Sequence, residues 1–152
     1  MFELITIKNA MVFSIVALMR LTTVSAQEWQ TDLNSAMSLA AKEDKPIILV
    51  FQGSDWCAPC IRLDREVWNT ESFRKYAQSH YVLLRADFPR KRANQPSQEQ
   101  ANKNAALAEK YNVNGIFPLV VILDKDGKLL GKTGYINAGP EAYIKELNSF
   151  IH

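Results

Sequence analysis

The sequence is poor in metal-binding side chains and in excess charge of either sign. It has two cysteines and two histidines in 152 residues. A structural zinc site takes four such ligands. His80 and His152 stand far from the cysteines in sequence, so one chain does not build such a site alone; a metal shared across a dimer stays open. Three of the four methionines lie in the N-terminal segment, which excludes a copper-binding methionine cluster. Basic residues number 18 against 16 acidic ones, a formal charge of +2. That near balance excludes an electrostatic binder of nucleic acid. A bilayer-spanning helix needs about 20 apolar residues, and the run from Ala10 to Met19 is only ten residues long. No internal repeat is visible. The length suits one domain, and a hydrophobic content of 47% suits a folded one.

The first 26 residues differ from the rest. Lys8 gives a positive charge, AMVFSIVALM gives a short apolar core, and LTTVSA ends with small side chains at Val24 and Ala26. This is the layout of a secretory signal peptide, with cleavage expected after Ala26. Glu3 and Arg20 depart from the pattern. The expected organisation is a signal peptide over 1–26 and one domain over 27–152, exported to the periplasm or secreted. The segment holds no cysteine, so a lipid-modified N-terminal cysteine is not expected.

Along the rest of the chain, Trp29 to Asp44 reads as a helix capped by Thr31 or Asp32 and ended by Lys45-Pro46. Ile47 to Phe51 (IILVF) is a short continuous apolar run, as a strand buried on both faces requires. A helix is expected from Ala58, interrupted at Asn69-Thr70-Glu71 and continued over Ser72 to Ser79. Tyr81 to Asp87 and Leu119 to Leu123 read as further strands, and Ser97 to Tyr111 as a helix between them. Asp124-Lys125-Asp126-Gly127 reads as a hairpin turn leading to Lys128–Thr133, because glycine accepts positive φ there. Pro140 to Ile151 reads as a last amphipathic helix. The order α-β-α-β-α-β-β-α predicts an α/β domain: a central mixed sheet flanked by helices, with an added N-terminal helix.

Both cysteines fall in one motif, Cys57-Ala58-Pro59-Cys60. It follows a buried strand and a short loop, at the start of a helix. The first N–H groups of a helix lack intrahelical partners, and the helix dipole puts partial positive charge there. Both stabilise a Cys57 thiolate and lower its pKa below the free value of about 8.5. Cys60 lies nearly one turn on and is expected to be the less exposed. Cys57 then attacks a disulfide and Cys60 resolves the mixed disulfide. Pro59 is tolerated in the first helical turn. A disulfide across so short a loop is a poor staple, so the pattern points to redox chemistry rather than to a structural bond.

The segment ILVFQGSDWCAPC resembles the active-site region of thioredoxin-fold proteins, and the resemblance runs from Trp29 to the C-terminus. Gly115-Ile116-Phe117-Pro118 before a strand is similar to the family's second landmark, a cis-proline packed against the redox pair. The resemblance implies that Pro118 is cis and that the Phe117 backbone pairs with an incoming substrate chain. It looks nearest to exported bacterial thioredoxin-like proteins with an F-x-G-S-x-W-C-x-x-C segment and a D-F-P loop, matched by Asp87-Phe88-Pro89. Thioredoxin itself carries a buried Asp six residues before the first Cys; here that position is Phe51. The proton-acceptor role for Cys60 is then unfilled or passes to another group. Asp55 and Asp64 are the nearest carboxylates in sequence and read as solvated. Arg90, Lys91 and Arg92 read as a solvated charge run.

The resulting expectation is a thiol–disulfide oxidoreductase acting on protein thiols or disulfides outside the cytoplasm, with reduction the favoured direction. Cys57 and Cys60 are the catalytic pair, and Trp56, Pro59, Phe117 and Pro118 are positioning residues. No bound cofactor is required, because the cysteines carry the electrons. Partners are protein substrates and a redox partner, such as a membrane electron donor; nucleic acid is not one, and the chain is expected to be a monomer. The alternatives are a binding module on the same scaffold and a metal-handling protein with little redox turnover.

Overall fold

The computed structural model describes residues 26–152. The expected signal segment lies outside the described residues apart from Ala26. Strand β2 (Ile47–Gln52) occupies the middle of a five-stranded sheet and is buried along its whole length. Its odd and even residues enter two separate cores. Ile47, Leu49 and Phe51 pack with Ala36, Ala40, Leu107 and Tyr111 on one face. Ile48 and Val50 pack with Leu63, Trp68, Phe73, Tyr143 and Leu147 on the other. A strand whose two faces are both covered needs an unbroken apolar run, which is why IILVF does not alternate.

The elements in chain order are β1 (Trp29–Gln30), α1 (Leu33–Glu43), β2, α2 (Ala58–Leu63), a π-helical turn (Asp64–Trp68), α3 (Glu71–His80) and β3 (Val82–Asp87). A 3-10 turn (Arg92–Asn94), α4 (Gln98–Tyr111), β4 (Leu119–Leu123), β5 (Leu129–Thr133) and α5 (Pro140–Asn148) complete them. The sheet order is β1-β3-β2-β4-β5. β3 runs parallel to both β1 and β2, and β4 runs antiparallel to both β2 and β5. Helices α1 and α4 cover one face, and α2, the π turn, α3 and α5 the other. This is the expected mixed sheet between helical layers.

Local chemistry sets the boundaries. Asp32, Thr70 and Ser97 cap α1, α3 and α4 by accepting hydrogen bonds from Ser35, Phe73 and Gln100 N–H groups. Asp44 ends α1 in the left-handed region at φ 52°, and Gly127 supplies the hairpin turn at φ 80°.

Three expectations need correction. Trp29 and Gln30 do not begin the first helix; they form an edge strand pairing with Leu83 and Leu84. The Trp29 ring meets Trp68 edge-on at 6.0 Å, so packing of the indole overrides helical propensity. The helix after Ala58 widens into the π turn, where Asn69 N–H donates to Asp64 C=O at 2.8 Å. The last helix stops at Asn148, where Ser149 N–H is shared between Lys145 and Glu146 carbonyls, and Phe150 folds back over Gly131.

Trp68 centres the second core. It is 1% exposed and meets the rings of Trp29, Phe73 and Tyr143 edge-on, with centroids 4.8–6.0 Å away. Trp68→Ala should destabilise the protein by about 3–5 kcal/mol through lost contacts and a residual cavity. Urea unfolding should show a lowered midpoint with an unchanged slope.

Candidate active site

Strand β2 delivers the chain to a four-residue loop, Gly53 to Trp56, and Cys57 follows as the N-cap of α2. The Cys57 sulfur accepts a hydrogen bond from Cys60 N–H at 3.3 Å. Pro59 occupies the first turn of α2, where its missing N–H leaves no bond unmade. Cys57 and Cys60 are joined as a disulfide, with Cα atoms 5.2 Å apart. Cys57 is 4% exposed and Cys60 3%, so in this oxidised form the two sulfurs are buried almost equally. The expected difference in exposure is not present here.

The second landmark comes from the sheet's other side. The Phe117–Pro118 peptide bond is cis and leads straight into β4. Asn112, 4% exposed, clasps the preceding loop: its side-chain oxygen accepts from Ile116 N–H at 2.9 Å, and its amide donates to Ile116 C=O at 2.8 Å. Phe117 meets Trp56 edge-on at 5.5 Å. The sequence-selected residues Trp56, Cys57, Pro59, Cys60, Phe117 and Pro118 are thus held by one loop–helix junction and one loop–strand junction, linked through the Trp56–Phe117 contact.

A third segment completes the site. Ser54 N–H and its hydroxyl both donate to the Asp87 carboxylate, at 2.9 and 2.6 Å. Trp56 Nε1 donates to Phe88 C=O at 2.7 Å. The Asp55 carboxylate accepts from the backbone N–H groups of Arg90 and Lys91 and from the Asn94 amide, each at 2.9 Å. Arg90 then lays its guanidinium over the Trp56 ring at 3.8 Å. From below, the buried Asn104 amide donates to Asp87 C=O at 2.9 Å. Asp55, read from sequence as solvated, is the pin for this loop. Its binding to the Arg90 N–H, reinforced by Asn94 and Lys91, holds its carboxyl below the ordinary value. Residue 53 must be glycine for a steric reason: the Trp56 ring lies so close that a Cβ would sit 2.2 Å from it.

Behind Cys60 the surroundings are polar. Gln52, Ser54, Cys60, Ile61, Asp64 and Arg85 line a cavity of about 190 Å³. Asp64 is held by the Asn69 amide at 2.6 Å and faces Arg85 at 3.4 Å. Arg85 also stacks on Trp29 at 4.0 Å. Burial draws its guanidinium below the usual value, opposed by Asp64 and Asp87. Asp64, also read as solvated, is the one carboxylate on this cavity. Sequence reasoning missed Arg85, Asn104 and Asn112; the F-x-G-S-x-W-C-x-x-C and D-F-P matches, which contain Ser54 and Asp87, pointed towards part of this support. Among the described residues no three His, Cys, Asp or Glu side chains gather as a metal site would require.

This geometry accompanies clear similarities. Residues 28–125 match the thioredoxin-like family. Over 82% of its length the chain is 34% identical to the disulfide bond reductase DsbH of Chlamydia pneumoniae, covering 72% of that protein. A solved DsbH oxidoreductase structure superposes with a TM-score of 0.76 at 33% identity, covering 84% of this chain and 85% of the other. A thioredoxin from Thermus thermophilus shares the fold, with a TM-score of 0.59 at 17% identity over 82% of this chain and 87% of that one.

The Asp55 pin has a testable pH dependence. Its folded-state pKa is depressed, so the fastening is complete above the ordinary carboxylate value of 3.8 and is lost as the pH falls through the lower folded value. The amide proton shifts of Arg90 and Lys91 should titrate together with a midpoint below 3.8. Asp55→Asn should abolish that step and raise their hydrogen-exchange rates about tenfold at neutral pH.

Proposed function

The chain belongs to the thioredoxin-like family and is a thiol–disulfide oxidoreductase, and from that premise we propose that it is an exported reductase of protein disulfides. The observation that carries the reading is the Cys57–Cys60 disulfide at the mouth of α2, joined to the cis Phe117–Pro118 bond through the contact of Trp56 with Phe117. The similarity to a named disulfide bond reductase supports the direction.

In the proposed reaction the reduced pair begins as a Cys57 thiolate and a Cys60 thiol. The thiolate is favoured by the Cys60 N–H that already reaches the Cys57 sulfur and by the positive end of the helical run. Cys57 attacks one sulfur of the substrate disulfide. The Cys57–substrate S–S bond forms as the substrate's own bond breaks, and the departing thiolate takes a proton. Cys60 then loses its proton and attacks the Cys57 sulfur. The Cys57–Cys60 bond forms and the second substrate thiolate leaves, so two electrons have passed to the substrate. Trp56 and Pro59 shape the approach to Cys57, and Phe117 and Pro118 align the substrate chain. A second protein dithiol, such as a membrane-borne donor, reduces the pair again. The Lys8 charge, the short apolar core and the small side chains at Val24 and Ala26 support export, with a mature chain starting at Gln27.

Cys57→Ser should abolish exchange, while Cys60→Ser should accumulate a Cys57–substrate adduct visible by intact mass spectrometry. Equilibration of the wild-type pair against glutathione buffers should give a potential near roughly −270 mV. A value near about −120 mV would instead identify an oxidant and overturn the proposed direction.

A further inference from the structure

Arg90, Lys91 and Arg92 are three consecutive exposed cations. Among the described residues none of them forms an ion pair with a carboxylate side chain; Lys42, Arg74, Lys75, Lys110, Lys128, Lys132 and Lys145 form none either, and what sets these three apart is that they are consecutive and lie beside Trp56. The nearby Asp55 carboxylate is hydrogen-bonded by the backbone N–H groups of Arg90 and Lys91 and by Asn94, with no hydrogen bond from the cationic side chains, of which Lys91 attracts it through space. The loop is also fixed. Gln95 donates to Pro89 C=O at 2.7 Å, Asn94 N–H to Lys91 C=O at 3.0 Å, and Trp56 to Phe88 C=O at 2.7 Å. Arg90 lies on the ring of Trp56, the residue before Cys57. The chain therefore holds a row of mutually repelling charges in one place, beginning at Trp56 beside Cys57, where their internal attractions are those of Arg90 for the Trp56 ring and of Lys91 for Asp55, and Arg92 has none of these.

The geometry points to this loop as a docking arm for an acidic stretch of the client protein, lying beside the client's reacting cysteine. The inference rests on the proposed reaction with protein disulfides. Charge complementarity selects the partner. The loop offers only cations around a single aromatic face, and its fixed backbone spares the ordering entropy that a floppy basic loop loses on binding. The near-zero balance of the chain as a whole makes the attraction local to this edge of the site. Such rim charges act on encounter rate and partner choice, and salt screens them.

The test uses two short peptides, each with one cysteine in a mixed disulfide with 2-mercaptoethanol. In one the cysteine is flanked by Asp and Glu, in the other by Lys. The reduced full domain is mixed with each, and the readout is the ratio of the two second-order rate constants. A general change in reactivity cancels in that ratio. At about 0.01 M ionic strength the acidic peptide should react about tenfold faster or more, and the ratio should fall towards one at about 1 M. Lys91→Gln/Arg92→Gln should lower the low-salt ratio several-fold, and adding Arg90→Gln should bring it near one. Equal rates at low salt, or a preference that survives the triple variant, would overturn the inference. Failure of both peptides to react would overturn the proposed reaction itself, and the docking arm with it.

Discussion

The double-sided burial of β2 is the constraint from which the active site follows. Each residue from Ile47 to Gln52 is packed, with alternate side chains in separate cores, so the strand has no freedom to slide. A one-residue slip would exchange the two apolar sets and disturb both cores. The register is fixed on both sides, against β3 with Gln52 opposite Asp87 and against β4 with Phe51 opposite Leu119. Those pairings bring the ends of three strands together. Cys57 leaves from β2, the D-F-P loop leaves from β3, and the cis-proline bond enters β4. The site is the place where these ends meet, and its precision is inherited from the sheet.

The sheet alone does not hold the loop around Cys57; hydrogen bonds between loops do that. Asp87 takes both donors of Ser54, Phe88 takes the Trp56 indole N–H, and Asp55 takes two backbone donors from the D-F-P loop's continuation. The connections run in both directions between the same two segments. Neither loop can move without exposing or orphaning polar groups of the other. Trp56 is consequently fixed from three sides: by its bond to Phe88, by Arg90 above it, and by Gly53 beneath it. In the proposed reaction, such a pre-positioned aromatic face next to Cys57 would lower the ordering that a bound chain must impose.

Much of this was legible in the sequence because the signals were local. IILVF could be a buried strand because it is short, apolar and bounded by Pro46 and Gly53. Cys57 could be placed at a helix start because Pro59 suits the first turn. The D-K-D-G turn, the Asp32 cap and the break near Thr70 all follow from chemistry within a few residues. What stayed hidden depended on partners distant in sequence. Trp29 joins the sheet because Trp68 and Leu83 are there to receive it, which no local pattern contains. Asp55 looks like an ordinary loop carboxylate until the loop some thirty-five residues later is folded against it. Asn104 and Asn112 look like solvated helix and loop residues, yet both are buried because each satisfies a backbone group of the site. Side chains that satisfy distant backbone have no periodicity to read.

The absence of an acid at position 51 has a physical explanation in the same contacts. Phe51 stacks on Phe88 at 6.5 Å, Phe88 meets Phe117 at 5.5 Å, and Phe117 meets Trp56 at 5.5 Å. The four rings form a continuous path from the first core to the redox pair. A carboxylate at position 51 would face that apolar cluster, where Leu49, Ala86 and Leu119 also pack. Burying it unpaired there would cost several kcal/mol. It would also leave Phe88 without its partner ring, and Phe88 is the residue whose carbonyl holds Trp56. Polar groups near Cys60 instead lie towards the opposite face of β2, where Gln52, Asp64 and Arg85 line the cavity. The chain separates apolar and polar surroundings by sheet face: aromatic rings hold Trp56 and Phe117 on one side, and Gln52, Asp64 and Arg85 share a cavity with Cys60 on the other. Phe51 and Gln52, adjacent in sequence and opposite in direction, mark the division.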